Sequence, residues 1–303
     1  MRLAGILVPL LFLLAACANG GDGDASGRLQ VIASTTQIGD FARQVGGERI
    51  QLTVLLKPNQ DAHDFELLPS QLRAIAAADL VLVNGLGLDA FMDKALESSQ
   101  AQEIIVSRGI STIHSGAEGG PPGEPDPHVW FSVANAVTMV KNIRDAFSAA
   151  DAANATAYAD NAARYLAELQ ALDTSIKQQV AQIPAACRKL VTNHDVLGYY
   201  ANAYSFEVVG SVIPSTSSQA SASAADVAGI VKQIEAEGVP AIFAEASINP
   251  DLIRQVGREA GVKVVDDLYG DSLGPSGSDG ATYVGMMQSN TKKIVDALKA
   301  CPA

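Results

Sequence analysis

Three of the four histidines in this chain stand in short segments that also contain acidic residues or proline. His63 lies in the segment DAHDFE, His128 in DPHVW and His194 in TNHD. A carboxylate candidate, Asp271, lies in the segment YGDSLG. Three neutral imidazoles and one carboxylate form a ligand set that suits a borderline-soft divalent cation such as zinc. The residue types therefore indicate a metal site formed by segments that are distant in the sequence.

Three of these candidates are predicted to lie beyond the carboxyl ends of β-strands. His63, His194 and Asp271 each follow a run of apolar residues that is typical of a buried strand. The three runs occupy residues 50–56, 189–191 and 262–265. Ligands of open α/β sheets bind beyond this end of the strands, so two facing sheets could share one site. Taken alone, each residue has a simpler explanation, since His128 could cap a helix and Asp271 could stabilise a turn.

The elements that must position these residues alternate between strand-like and helix-like segments, as expected for parallel sheets covered by helices. Strands are predicted at residues 29–34, 50–56, 80–83, 104–106, 189–191, 208–213, 241–244 and 262–265. Helices are predicted at residues 35–45, 70–78, 130–150, 195–204, 225–237, 251–260 and 282–300. The fold class is therefore α/β, with two halves that are similar in architecture but show no residue-level repeat.

A long segment without glycine or proline separates the two halves. Apolar and small residues recur at helical spacing over residues 154–183, which predicts one helix of about 30 residues. We interpret this helix as a strut between the halves. The predicted organisation is an N-terminal lobe at 28–152, a linking helix at 153–184 and a C-terminal lobe at 185–303.

The first residues of the chain have the features of an export signal. One arginine precedes an apolar run from Leu3 to Ala16, which is too short to span a bilayer as a helix. The segment LAAC, ending at Cys17, resembles a bacterial lipoprotein signal in which that cysteine carries the lipid. We therefore expect a signal peptide at 1–17 and a flexible, glycine-rich tether at 18–27. The mature protein would then be extracytoplasmic, either anchored to the cell membrane by its lipid or periplasmic.

The two remaining cysteines, Cys187 and Cys301, are predicted to form a disulfide. An exported protein meets an oxidising compartment, in which a pair of cysteines is usually joined. The alternative is that both are thiolate ligands of a metal, but neither stands near a histidine in the sequence.

Six segments, in this order, resemble the cluster A-I (cluster 9) metal-binding lipoproteins of ABC importers for zinc and manganese. They are DAHDFE at 61–66, LPS at 68–70, NGLGL at 84–88, DPHVW at 126–130, NHDVLGY at 193–199 and DSLG at 271–274. The resemblance covers residues 28–303, which is essentially the whole mature chain. It implies two α/β lobes joined by one rigid helix, with a metal in the cleft between them. The ligands that it implies are His63, His128, His194 and Asp271.

The resemblance also implies a function. We expect a monomeric protein, not an enzyme, that binds a metal and delivers it to the membrane permease of an ABC importer. Zinc-binding members of the family typically carry histidine at the third ligand position, whereas manganese-binding members tend to carry glutamate. His194 occupies that position here, so Zn²⁺ is the expected ion and Mn²⁺ is the alternative.

Two further groups of residues bear on the site. Four acids near the ligands are candidates for orienting the imidazoles as hydrogen-bond acceptors: Asp64, Asp126, Asp195 and Glu245. The loop between the first two ligands departs from the long histidine-rich loop of many zinc-binding members. It is short and acidic here, and His114 stands at its edge.

Other classes of function are less compatible with the sequence. A secreted zinc hydrolase could use His128, His194 and Glu245 with an open coordination position, but the chain lacks an HExxH segment and a GxSxG segment. An adhesin with a purely structural metal is a third hypothesis. The net charge of −12 argues against a nucleic-acid partner, because such proteins need a basic face.

Overall fold

The computed structural model of the protein describes residues 27–114 and 125–301. Within these residues the chain forms two α/β lobes, each built on a four-stranded parallel sheet. The predicted signal peptide with Cys17, nearly all of the predicted tether and residues 115–124 of the acidic loop lie outside the described residues. No helix in the two described ranges combines the length and the apolar character that crossing a membrane requires.

The N-terminal lobe contains strands β1 (Leu29–Ala33), β2 (Ile50–Val54), β3 (Leu80–Val83) and β4 (Gln102–Ile105). Its helices are α1 (Thr36–Gly46), α2 (Pro69–Ala76), α3 (Asp93–Glu97) and α4 (Val133–Ala150). The strands lie in the order β2-β1-β3-β4, and each neighbouring pair is parallel. All residues of β3 are buried, because helices cover both faces of a parallel sheet.

The C-terminal lobe has the same topology. Its helices and strands begin after α5 (Ala155–Val180), the long helix between the lobes. The strands are β5 (Lys189–His194), β6 (Glu207–Ile213), β7 (Ala241–Glu245) and β8 (Lys263–Leu268), in the order β6-β5-β7-β8. The helices are α6 (Gly198–Tyr204), α7 (Ala224–Glu237), α8 (Asp251–Ala260) and α9 (Tyr283–Leu298).

Both sheets contain a topological switch point. In each, the chain moves first to one side of the initial strand and then to the other. Such a switch point opens a crevice beyond the carboxyl ends of the strands. The sheet topology therefore provides one crevice in each lobe at the end where the candidate ligands are expected.

Helix α5 links the lobes. Its 26 residues span about 39 Å, somewhat less than predicted, because residues 181–183 form a turn. The helix packs against α1 and α4 of the first lobe and against α9 of the second. The expected two-lobe architecture with a long linking helix is thus confirmed.

The two lobes share a continuous apolar core. It includes Phe41 of α1, Leu169 of α5 and Met286 of α9, all of which are fully buried. Two hydrogen bonds reinforce this junction: the Tyr283 hydroxyl donates to the Trp130 carbonyl at 2.7 Å, and the Tyr283 amide donates to Asp40 Oδ2 at 2.9 Å. A densely packed shared core resists deformation, so wide rotation of one lobe about the other is opposed.

Several element bounds differ from the sequence prediction by a few residues, and three elements show the reasons. Strand β5 continues through Thr192 and Asn193 to His194, because these polar residues are buried in the sheet and not exposed in a loop. Helix α6 consequently begins at Gly198 and not at Asp195. Helix α3 was not predicted, since five residues are too few to show a helical period.

The predicted disulfide between Cys187 and Cys301 is confirmed. It joins the short 3₁₀ turn after α5 to the residues following α9, across 114 positions of sequence. The bond therefore ties the end of the described chain to the beginning of the C-terminal lobe.

Replacing both cysteines with alanine is expected to lower the free energy of unfolding by about 2–5 kcal/mol, because the unfolded chain regains the entropy of a long loop. Urea denaturation of the wild-type and double-variant proteins measures the change. Wild-type protein with the bond chemically reduced should behave like the double variant. Equal unfolding midpoints for the oxidised and reduced wild type would show that the bond contributes nothing.

Candidate metal centre

Four side chains from four separate segments meet between the lobes. His63 lies in a 3₁₀ turn, Ala62–Asp64, that follows β2, and His128 directly precedes a second such turn before α4. His194 is the last residue of β5, and Asp271 lies in the loop after β8. One potential ligand atom from each of the four lies within 4.8 Å of all the others. Each lobe therefore contributes two members to the cluster.

The distances within the cluster suit a single ion at its centre. Nε2 of His63 is 3.4 Å from Nε2 of His128 and 3.5 Å from Asp271 Oδ2. Nε2 of His128 is 3.4 Å from Asp271 Oδ1, and Nε2 of His194 is 3.8 Å from Asp271 Oδ2. A tetrahedral zinc site with bonds of about 2.0–2.1 Å separates its ligand atoms by about 3.3 Å. The spacing between these atoms is close to that value.

The cluster is buried and several of its polar atoms lack hydrogen bonds. His128, His194 and Asp271 are 0% exposed, and the side chain of His63 is 11% exposed. Within the described residues, both carboxylate oxygens of Asp271 and Nε2 of His194 form no hydrogen bond. Leaving such atoms buried and unpaired is energetically costly. A cation coordinated by all four residues removes that cost, so the donor set and the burial both fit a metal.

The pKa shifts in the cluster indicate that positive charge at its centre stabilises the Asp271 carboxylate. Burial would raise the pKa of Asp271, but the adjacent imidazoles, His128 first, lower it below its usual range. Burial lowers the pKa of His63, although the Asp271 carboxylate opposes the shift. Burial also acts to lower the pKa of His128 and His194, but neighbouring carboxylates outweigh it and raise both pKa values. Asp271 therefore stays ionised. Its negative charge is balanced either by protonated imidazoles or by a metal ion.

Asp126 orients the imidazole of His128. Its Oδ1 lies 2.7 Å from Nδ1 of His128 and also accepts the backbone amide of the same residue at 2.9 Å. A hydrogen bond at Nδ1 fixes the ring so that Nε2 faces the cluster. The Tyr199 hydroxyl donates to the Asp126 carbonyl at 2.9 Å and so connects this segment to the second lobe.

Glu245 bridges the other two ligands. Its Oε1 lies 2.7 Å from Nδ1 of His194, and its Oε2 accepts the backbone amide of Asp271 at 3.2 Å. The carboxylate is buried at the end of β7. Gly270 leaves the necessary space, because a Cβ at this position would overlap the Glu245 carboxylate. Glu245 thus holds a strand residue and a loop residue in one arrangement.

The other two acids proposed from the sequence have different positions. Asp64 is exposed, and no hydrogen bond joins it to an imidazole in the described ranges. The structure therefore does not support Asp64 as an orienting residue, and Asp61 contacts the backbone of His63 instead. Asp195 is buried directly after His194, and its amide donates to the Ser215 carbonyl at 2.9 Å. A role for the Asp195 carboxylate at the site stays a prediction.

Sequence reasoning missed two residues that hold the Asp271 loop from the opposite lobe. The side-chain amide of Gln37 donates to the Gly270 carbonyl at 3.0 Å. The hydroxyl of Thr36 accepts the Leu273 amide at 2.8 Å and donates to Gln37 Oε1 at 3.1 Å. Both residues stand in the first turn of α1, directly after β1. Two polar residues at the carboxyl end of a central strand were the only sequence signal for this contact.

The chain is similar to known proteins over nearly its whole length. The model of the family described as ZnuA, zinc-uptake complex component A, periplasmic, matches residues 31–297. The manganese-binding lipoprotein MntA of Bacillus subtilis (strain 168) is 33% identical to this chain. The alignment covers 97% of this chain and 99% of MntA.

Two solved structures show the same architecture. The periplasmic zinc-binding protein TroA from Treponema pallidum superposes with a TM-score of 0.82 at 28% identity, over 90% of this chain and 99% of its own. A manganese-bound periplasmic metal-binding protein from Candidatus Liberibacter asiaticus gives a TM-score of 0.81 at 27% identity. That comparison covers 89% of this chain and 100% of the other.

These findings confirm the recognised family and the expectation that the protein is not an enzyme, since the family serves metal transport. They do not confirm the zinc-type assignment, because the relatives are named for zinc in some cases and for manganese in others. The chain belongs to the family of periplasmic zinc-uptake component A proteins, the metal-binding substrate-binding proteins of ABC importers.

Proposed function

We propose that this protein binds one zinc ion outside the cytoplasmic membrane and delivers it to the permease of an ABC importer. The observation that carries the proposal is a buried cluster of three imidazole nitrogens and one carboxylate, drawn from both lobes. Within the described residues, the carboxylate oxygens form no hydrogen bond. A site of this kind shields its ion from most of the solvent, which suits a protein that must retain a cargo until it meets a partner.

The donor atoms support zinc over manganese. Imidazole suits zinc well, whereas manganese is better matched by carboxylate, carbonyl and water oxygens. Three of the four predicted ligands are histidines, and His194 stands where manganese-binding members of the family tend to carry glutamate. The ligand-atom separations of 3.4, 3.5 and 3.8 Å are also compatible with a tetrahedral zinc site.

Manganese is the second candidate, and one feature of the site favours it. The two oxygens of Asp271 both face imidazoles, Oδ1 at 3.4 Å from His128 and Oδ2 at 3.5 Å from His63. A carboxylate in this position can bind through both oxygens and raise the coordination number above four. Relatives such as MntA of Bacillus subtilis are named for manganese.

The arrangement is that of a carrier site. With four protein ligands in a tetrahedral shell, no coordination position is left for an activated water. Glu245, which the hydrolase hypothesis would use together with His128 and His194, already contacts His194 Nδ1 and accepts the Asp271 amide. This geometry supports retention of an ion over catalysis.

The remaining parts of the proposal concern location and partners. Relatives are named lipoproteins, and Cys17 lies at the end of a segment that resembles a lipoprotein signal. We infer that Cys17 carries the lipid, that only this lipid contacts the membrane, and that the protein acts as a monomer. The proposed partner is the membrane permease of the importer.

The choice of metal can be tested with His194→Glu. This substitution replaces a nitrogen donor with oxygen donors, so it should lower the ratio of zinc to manganese affinity by roughly tenfold or more, as expected from ligand preference. Competition titrations of both ions against the wild type, the variant and His114→Ala measure the ratio. His114 lies outside the cluster, so its variant serves as the control. An unchanged ratio in His194→Glu would contradict the assigned role of the imidazole.

Growth provides the physiological test. Cells lacking this protein should grow poorly under zinc limitation and recover with the wild type but not with Asp271→Ala. Recovery that depends on manganese supply would favour the second candidate. If cells lacking the protein grew normally and took up both ions normally, a role in metal uptake would be excluded. The metal would then be structural, as in the adhesin hypothesis.

The contact from the opposite lobe predicts a role for Gln37 in affinity. Gln37→Leu keeps the approximate size of the side chain but removes the donor to the Gly270 carbonyl. A buried carbonyl left unpaired costs about 1–3 kcal/mol, so we expect zinc affinity to fall roughly 5- to 150-fold, as measured by calorimetry. Gln51→Leu, at an exposed position of β2, is the matched control. Equal affinities for the two variants would show that Gln37 does not position Asp271.

A further inference from the structure

His63 differs from the other members of the cluster. Its side chain is 11% exposed, whereas those of His128, His194 and Asp271 are 0% exposed. Nδ1 of His128 and Nδ1 of His194 each contact a buried carboxylate at 2.7 Å. No carboxylate contacts Nδ1 of His63 in the described part of the chain. The hydrogen bond that supports this residue from outside the cluster is made by its backbone amide.

Asp61 provides that support. It is the N-cap of the 3₁₀ turn that contains His63, and its Oδ1 accepts the His63 backbone amide at 2.8 Å. A capping carboxylate satisfies an amide that has no partner inside the turn and so fixes where the turn begins. Asp61 consequently fixes the backbone from which the His63 side chain extends.

The second oxygen of Asp61 is held from the other lobe. The Ser218 hydroxyl donates to Asp61 Oδ2, joining residues that are 157 positions apart. Ser218 lies in the serine-rich connection between β6 and α7. A hydrogen bond to an ionised carboxylate is stronger than one between neutral groups. This hydrogen bond thus connects the second lobe to the turn that carries the most exposed ligand.

The serine-rich connection is itself fixed close to another ligand. The Ser215 carbonyl accepts the amide of Asp195, the residue after His194, at 2.9 Å. The Ser215 hydroxyl then accepts the Ser217 amide at 3.0 Å. Turns of this type shape the backbone locally. The connection therefore runs from the His194 end of β5 to Asp61, beside the turn that carries His63.

We propose that Ser218 is a positioning residue that, through Asp61, holds His63 against the metal and sets the rate at which the ion leaves. This inference rests on the proposed function of metal delivery. Several side chains hold the Asp271 loop, namely Glu245, Gln37 and Thr36. Within the described residues, the hydrogen bond that joins the His63 turn to the second lobe away from the ligand cluster is the one between Ser218 and Asp61. Breaking that bond frees one ligand and leaves the other three in place.

The kinetic test compares Ser218→Ala with two companion variants. Ser218→Thr retains the hydroxyl, and Ser217→Ala removes a neighbouring hydroxyl whose contact is the local Gln219 amide. Zinc-loaded full-length proteins are mixed with excess chelator, and the rate of metal release is followed by stopped flow. We expect release to be about 3- to 10-fold faster in Ser218→Ala, as for the loss of one hydrogen bond. Ser218→Thr and Ser217→Ala should release zinc at nearly the wild-type rate.

A wild-type release rate in Ser218→Ala, or equal acceleration in Ser217→Ala, would overturn the proposal. Amide hydrogen exchange on the metal-free proteins gives an independent readout, in which the His63 amide should exchange faster in Ser218→Ala alone. If the wild type bound neither zinc nor manganese, the proposed function and the role in release would both fail. Hydrogen exchange would still decide whether Ser218 holds the His63 turn, so the two failures are distinguishable.

Discussion

A buried aspartate surrounded by three imidazoles is the interaction on which the rest of this structure depends. Asp271 is fully buried, and within the described residues neither of its oxygens forms a hydrogen bond. An ionised carboxylate in such surroundings is tolerated only when positive charge is close to it. The three histidines can supply that charge by taking up protons, or they can remain neutral and share a divalent cation with the carboxylate. In the second state, the cation balances the carboxylate charge and coordinates all four side chains. This metal-bound state is the one that a carrier requires.

In this fold, residues of each lobe help to position the candidate ligands of the other lobe. Glu245 joins His194 to the Asp271 loop within the C-terminal lobe, and Gln37 holds the same loop from the N-terminal lobe. Ser218 of the C-terminal lobe holds the His63 turn of the N-terminal lobe. The core around α5 keeps the lobes in register. Small displacements of individual loops, more than rotation of whole lobes, are then the motions that can change the metal site.

The secondary-structure elements and candidate ligands that could be predicted are those marked by short stretches of sequence. Continuous apolar runs located the strands, and the carboxyl ends of those strands pointed to His63, His194 and Asp271. His128 was a candidate from its residue type and its neighbours, and the resemblance to the family then implied all four residues as ligands. Asp126 and Glu245 were proposed as partners of imidazoles because they stand near ligands or at the end of a strand, and the structure places each beside an imidazole.

Contacts between distant segments could not be predicted from such local patterns. Gln37 meets Gly270 across 233 positions and Ser218 meets Asp61 across 157, and neither pair leaves a periodic signal. The extension of β5 to His194 was missed because buried polar residues in a strand resemble a loop when only their polarity is considered.

The most direct test of this account is a crystal structure of the zinc-loaded protein, with diffraction measured on both sides of the zinc absorption edge. The account predicts one anomalous peak between the lobes, about 2.0–2.1 Å from Nε2 of His63, His128 and His194 and in contact with the Asp271 carboxylate. A peak at any other position, or an ion that one of these four side chains does not reach, would contradict it.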